Sequence, residues 1–269
     1  MKAGHLMSAL ILGLSLQFAA AAFGAEAASE KDRPTVAAPA AAVPEVKATT
    51  PVAGDRSASS AMPIYQPPKR GAPKARVGGG TRGSGGESAY VTVITPPDLA
   101  RTARAQPTLY WFLSNRVNDP IELTLIDDKG VQPLLEIVLE QASPGINAMD
   151  LSAHDIRLEP GRTYQWSVAI VRDANHRSSD VLSSAWMQFA PEPADLGSRL
   201  VQAGVEQTVY LFAEAGYWYE ALDSLSRLIA KNPGDARFAE QRIALLEQVE
   251  LPDVSAYARR LVVGAAPGQ

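Results

Sequence analysis

The chain contains no cysteine. That excludes a disulfide framework, a thiol nucleophile, a thiolate metal site and a lipid-modified cysteine after an export signal. Histidine is also scarce, at three in 269 residues. One of them, His5, lies in the leader, so His154 and His176 alone are left for acid–base or metal chemistry. Neither belongs to a histidine-rich motif, and a zinc site of the usual ligand type is not expected. Nor is there a large excess of either charge: the formal net charge is −4. Bulk electrostatics gives no reason to expect nucleic-acid binding.

What is present begins with an export signal. Lys2 supplies a basic start, and Leu6 to Ala22 forms a short apolar run, "LMSALILGLSLQFAAAA", followed by small residues. This pattern predicts a signal peptide over 1–24 with cleavage beside Ala22 or Gly24. The competing reading is an uncleaved anchor, which needs about 20 apolar residues. After cleavage no transmembrane anchor is expected, and the protein is read as exported, periplasmic or extracellular.

Residues 25–87 are rich in Ala, Pro, Ser, Thr and Gly and poor in large apolar side chains. Such chain cannot bury enough surface to offset its conformational entropy, and a disordered linker is expected. It contains Gly78-x-Gly80-x-x-Gly83, the spacing of a dinucleotide fingerprint. That fingerprint needs a strand before the glycines and a helix after them. Here a linker precedes and "AYVTVI" follows, so no cofactor is assigned. Lys69, Arg70, Lys74, Arg76 and Arg82 make the linker basic. They are either simply solvated or a weak contact for anionic envelope polymers.

From 88 to 190, short β-rich runs alternate with turn signals. Seven strands are predicted, at 89–95, 107–114, 121–127, 134–140, 146–151, 163–171 and 182–190. Tyr164, Trp166, Val168 and Ile170 share one face of the sixth. "LEPGRTYQW" places Leu158, Pro160, Gly161 and Tyr164 as in the tyrosine corner of fibronectin type III sandwiches, where the phenol ties back to upstream backbone. Tyr164, Trp166 and Trp111 are therefore assigned structural roles. The fold class is mainly β plus α: a seven-stranded immunoglobulin/fibronectin-III-like sandwich followed by a helical tail.

That tail covers 194–263. Asp195 is expected to cap one helix running to about Ala215, "YWYEALDSLSRLIAK" a second, and "ARFAEQRIALLEQVE" a third capped by Asp235. Ala213, Gly216, Tyr217, Ala221 and Pro233 match the tetratricopeptide pattern over about one repeat and a half. That is too little for a free-standing array. Tyr217, Trp218 and Tyr219 are read as docking the tail on the sandwich, with a partner groove as the other possibility. Phe238, Leu245, Val249 and Trp218 are the candidate partner-binding residues. A face carrying the first three stays open unless 254–263 folds back over it.

Taken in order, "RGAPKARVGGGTRGSG", "ITPP", "PTLYWFL", "LEPGRTYQW" and "LFAEAGYWYEALDSL" resemble the family known as domain of unknown function 928, from about Pro68 to about Leu251. The resemblance implies an exported envelope protein, mainly cyanobacterial, and names no activity. The residues assemble no catalytic set either. Ser152, His154 and Asp155 are close in sequence but lack a nucleophile elbow, and Asp127 and Asp128 are adjacent and face opposite sides of a strand end. The expectation is a non-enzymatic protein-interaction or assembly module with an unidentified envelope partner. The alternative is a sensory module binding a glycan or small ligand.

Overall fold

The computed structural model describes residues 61–68, 75–78 and 88–265. The expected signal peptide lies outside them, as do Gly80, Gly83, Lys69, Arg70, Lys74 and Arg82. The described chain is mixed β and α: two sheets followed by five helices.

The small sheet has the order β1 (Val91–Val93), β3 (Thr108–Leu113), β6 (Gly145–Asp150), all antiparallel. The larger runs β2 (Ala100–Thr102), β8 (Val181–Phe189), β7 (Thr163–Ile170), β4 (Ile121–Asp127), β5 (Leu135–Leu139). Its pairings are antiparallel except β2 with β8, which is parallel. There are thus eight strands and not seven among the described residues. The additional one, β2, is only three residues long, too short for its alternation to mark a strand.

Alternation elsewhere decides what is inside. In β4, Ile121, Leu123 and Leu125 are buried, and in β7 Tyr164, Trp166 and Val168 are. β3 departs from period two, with all six residues buried. Leu109, Trp111 and Leu113 lie on one of its faces, and Tyr110 and Phe112 on the other. The second face is covered by helices: Tyr110 donates to Asp223 at 2.9 Å, and the Phe112 ring meets Tyr257 edge-on at 5.2 Å.

The helices are α1 (Ala194–Gln202), α2 (Val205–Glu214), α3 (Trp218–Lys231), α4 (Ala236–Gln248) and α5 (Pro252–Ala265). The expected single helix to Ala215 is therefore two. Extended backbone at Ala203 and Gly204 interrupts it, and Gly204 caps α2. Asp195 lies in the first turn of α1, whose N-cap is Pro193, so it does not cap as expected. Asp235 does cap α4, accepting the Arg237 N–H.

Segments 61–68 and 75–78 correct the expectation of an unpacked linker at those residues. Tyr65 is buried and packs edge-on against Trp218, with ring centroids 5.2 Å apart. Its N–H bonds to Gln248 Oε1 at 2.8 Å, and Gln66 N–H bonds to Ala213 O at 3.0 Å. This approach explains Gly216, which has φ +80 and where a Cβ would stand 2.7 Å from Gln66 O. Further on, Val77 exchanges backbone bonds with Ser184, and the Arg76 guanidinium donates to the carbonyls of Thr95, Val249 and Glu250. Two of those carbonyls lie just past the end of α4, where unpaired acceptors and the helix dipole favour a cation.

The Tyr164 tie to upstream backbone is present. The hydroxyl accepts the Glu159 N–H at 2.8 Å. Glu159 is exposed, so water can replace the lost acceptor. Tyr164→Phe is expected to destabilise by about 1 kcal/mol, the low end of the range for an orphaned donor. Urea denaturation checks this, and a loss of several kcal/mol would mean the hydroxyl does more than this bond.

Candidate functional site

The first turn of α3 sets the geometry of the helical half. Trp218, Tyr219 and Glu220 are all at most 1% exposed and reach both sheets. Trp218 Nε1 donates to Ile94 O at 2.9 Å, and Trp166 Nε1 donates to Tyr219 Oη at 2.9 Å. Thr102 Oγ1, on the short β2, donates to Glu220 Oε1 at 2.6 Å. Of the residues expected to dock the tail, Tyr217, Trp218 and Tyr219 are all buried, and the last two make these bonds.

The candidate partner residues are placed differently from the expectation. Trp218, Phe238, Leu245 and Val249 are all buried, at 2% exposure or less. On α4 the reason includes α5, which packs along it, whereas Trp218 on α3 lies under Tyr65 and bonds to Ile94 O. These four residues are core.

Glu220 is a carboxyl inside that core. Burial pushes its pKa up, against the opposing Thr102 and Ala103 hydrogen bonds and the charge of Arg104. Oε2 has no partner among the described residues. A carboxyl whose folded pKa exceeds its unfolded value holds a proton that the unfolded chain has already released. Its contribution to stability is therefore full below about pH 4.5 and falls as pH rises through the folded value. Stability measured from pH 5 to pH 8 should fall more in the parent than in Glu220→Gln. Parallel curves would mean the carboxyl is ionised throughout.

Residues read as non-catalytic fall in separate places. His154 Nε2 lies 2.9 Å from Met149 Sδ, while the Ser152 N–H bonds to Asp150. His176 pairs with Asp173 at 2.7 Å in an exposed turn. Asp127 pairs with Arg162 at 2.7 Å, which holds its carboxyl below the usual range. No cluster of three or more metal-binding side chains occurs among the described residues.

Three surface depressions stand out among the described residues. One of about 350 Å³ lies among loop residues including Arg116, Asn118 and Glu140. A second, of about 520 Å³, runs between α4 and α5 under Met62, Ile243, Val262 and Val263. The third is a cleft of about 320 Å³ between α1–α2 and α3. Leu200, Val205, Phe212 and Leu228 give it an apolar floor, and Arg104, Arg227 and Lys231 edge it.

The third cleft carries organised charge. Asp223, one helical turn before Arg227, is 3% exposed. Its Oδ1 accepts from Tyr110, while Oδ2 accepts from Arg227 Nε at 2.8 Å and Arg104 Nη1 at 3.2 Å. One carboxylate thus holds two guanidiniums, whose side chains remain about half exposed. Each guanidinium has five N–H donors, so most of them stay available. Sequence reasoning missed this set. The i,i+4 spacing of Asp223 and Arg227 was its only visible signal, since Arg104 and Tyr110 come from more than a hundred residues upstream.

Residues 77–258 match the family model described as Domain of Unknown Function (DUF928). The chain belongs to the DUF928 family. The match takes in Val77 of the second packed segment, every strand, α1 to α4 and half of α5, so the α1–α3 cleft is wholly within the DUF928 region. Segment 61–68, with Tyr65, precedes it. No curated protein matches the chain.

Proposed function

We propose that this DUF928 protein is an exported, non-enzymatic protein-interaction module whose partner contacts the cleft between α1–α2 and α3. In this reading the sheets form an immunoglobulin/fibronectin-III-like sandwich, and the helices a tetratricopeptide-like pair with an added cover. The Tyr164–Glu159 tie supports the first part. The Gly216 turn between α2 and α3 supports the second. Export rests on the leader sequence alone.

The observation that carries the proposal is the cleft itself, an apolar floor beside two guanidiniums held by one buried carboxylate. Apolar floors edged by ordered charge suit polypeptide partners, because the charges give orientation and the floor gives affinity. Val201 adds aliphatic surface beside it, at 87% exposure, and Val205 in its lining is itself 65% exposed. The glycan-binding alternative wants an exposed aromatic platform. Among the described residues no Trp, Tyr or Phe is fully exposed. A contact of the linker with anionic polymers would draw on Lys69, Arg70, Lys74 and Arg82, since Arg76 is occupied with backbone carbonyls.

Val205 begins α2, where a carboxylate is compatible with the helix N-terminus. Val205→Glu should therefore leave the melting temperature unchanged while abolishing capture of the envelope partner by cross-linking. Undiminished capture by this variant would remove the cleft from the interface.

A further inference from the structure

We propose that the α1–α3 cleft takes an acidic segment of a partner polypeptide, one carboxylate on the arginine pair and a neighbouring aliphatic side chain on the floor. This rests on the interaction reading above and adds the chemistry of the partner.

The charge count favours an anion. Arg104, Arg227 and Lys231 edge the cleft against a single carboxylate, Asp223, which is already shared. Asp150 is near enough to feel both arginines, but its carboxylate accepts from Ser152. Counting it still leaves a positive excess, in a chain whose net charge is −4. The arginines are also held in advance. Asp223 fixes both, and Tyr110 fixes Asp223, so an incoming carboxylate meets donors with little rotamer freedom left to lose. A planar fork is well matched to a carboxylate.

The remaining features select the kind of anion. Leu200, Val205, Phe212 and Leu228 require an aliphatic group close to the charge. A phosphate polymer has none. A lipid surface would need a protruding apolar face, whereas this one is recessed. A volume of about 320 Å³ is at the small end for a ligand pocket, room for one side chain and its neighbour and not for a large cofactor. Alternating aliphatic and acidic residues in an extended segment meet all three conditions.

The test uses the purified full chain and a short fluorescein-labelled peptide of alternating leucine and glutamate, followed by fluorescence polarisation. Binding should weaken about tenfold when glutamine replaces glutamate, and comparably when serine replaces leucine. Lys231→Gln, at an exposed side chain, should weaken it several-fold with unchanged melting temperature. Arg227→Gln should weaken it several-fold with some loss of melting temperature, because the buried Asp223 loses a partner. Added salt should also weaken it. Equal binding of the serine–glutamate peptide would reduce the site to a general anion site and overturn the inference. Displacement of the peptide by polyphosphate or anionic vesicles at lower concentrations than by unlabelled peptide would overturn it too, as would the absence of any binding. If Val205→Glu loses the envelope partner while Arg227→Gln and Lys231→Gln retain it, the interaction reading stands and the acidic partner does not. Capture unaffected by all three substitutions removes the interaction reading itself.

Discussion

Trp218→Ala should destabilise the protein by about 3–5 kcal/mol, the range for deleting a large buried aromatic. The upper part of that range is expected. Trp218 is fully buried, and its indole joins three otherwise separate parts of the chain. The ring packs against Tyr65, the N–H holds the Ile94 carbonyl after β1, and the backbone starts α3. Removing it leaves a cavity, an unpaired carbonyl and an upstream segment without its main contact. Guanidinium denaturation measures the loss. Proteolysis in the native state should also begin near Tyr65 at lower protease than in the parent. A change under about 1 kcal/mol would mean the helices do not depend on this contact.

Trp166→Ala should cost a similar amount, about 3–5 kcal/mol, by a different route. Trp166 lies mid-strand in β7, flanked by β4 and β8 through Leu125 and Ala185. Its N–H crosses to Tyr219 on α3. The variant therefore opens the large sheet's packed face and cuts one tie to the helices. Tyr219→Phe removes only the acceptor and should cost about 1 kcal/mol. A double-mutant cycle between the two separates the tie from the packing. Strictly additive effects would show that the hydrogen bond contributes nothing measurable.

The β elements were legible where period two was undisturbed. β4 alternates throughout and β7 over its first six residues, because one side of the larger sheet faces the core. β2 was not legible, since three residues paired in parallel with a strand eighty residues later leave no local trace. The break at Gly204 was hidden by the same logic in reverse. Gly204 falls on the apolar face of a continuous helical pattern, and periodicity alone runs straight through it.

The site was less legible than the fold. Sequence periodicity picked Phe238, Leu245 and Val249 because they are apolar and share a helix face, and that is equally the mark of a core. Whether such a face is open depends on α5, a tertiary fact. The cleft's charges escaped notice for a related reason. Arg104, Tyr110 and Asp223 are individually unremarkable, and only the packing of α3 on β3 brings them to one carboxylate. The packed segments 61–68 and 75–78 were masked by their composition. One tyrosine and one arginine amid proline and glycine do not look like anchors.

Those two anchored segments bear on the order in which the chain can fold. Tyr65 finds its bond at Gln248, and Arg76 at Val249 and Glu250, so these contacts span 183, 173 and 174 residues. Closing loops of that length adds only a logarithmic entropy penalty, but it places the contacts among the slowest to be rewarded. During synthesis the first pieces of the described fold to be made must wait for nearly the last. Until α4 is complete, the Tyr65 N–H lacks Gln248 and the Arg76 guanidinium lacks two of its three carbonyls. A chain stopped short of Gln248 would hold both segments only by their contacts with the sheets, α2 and α3.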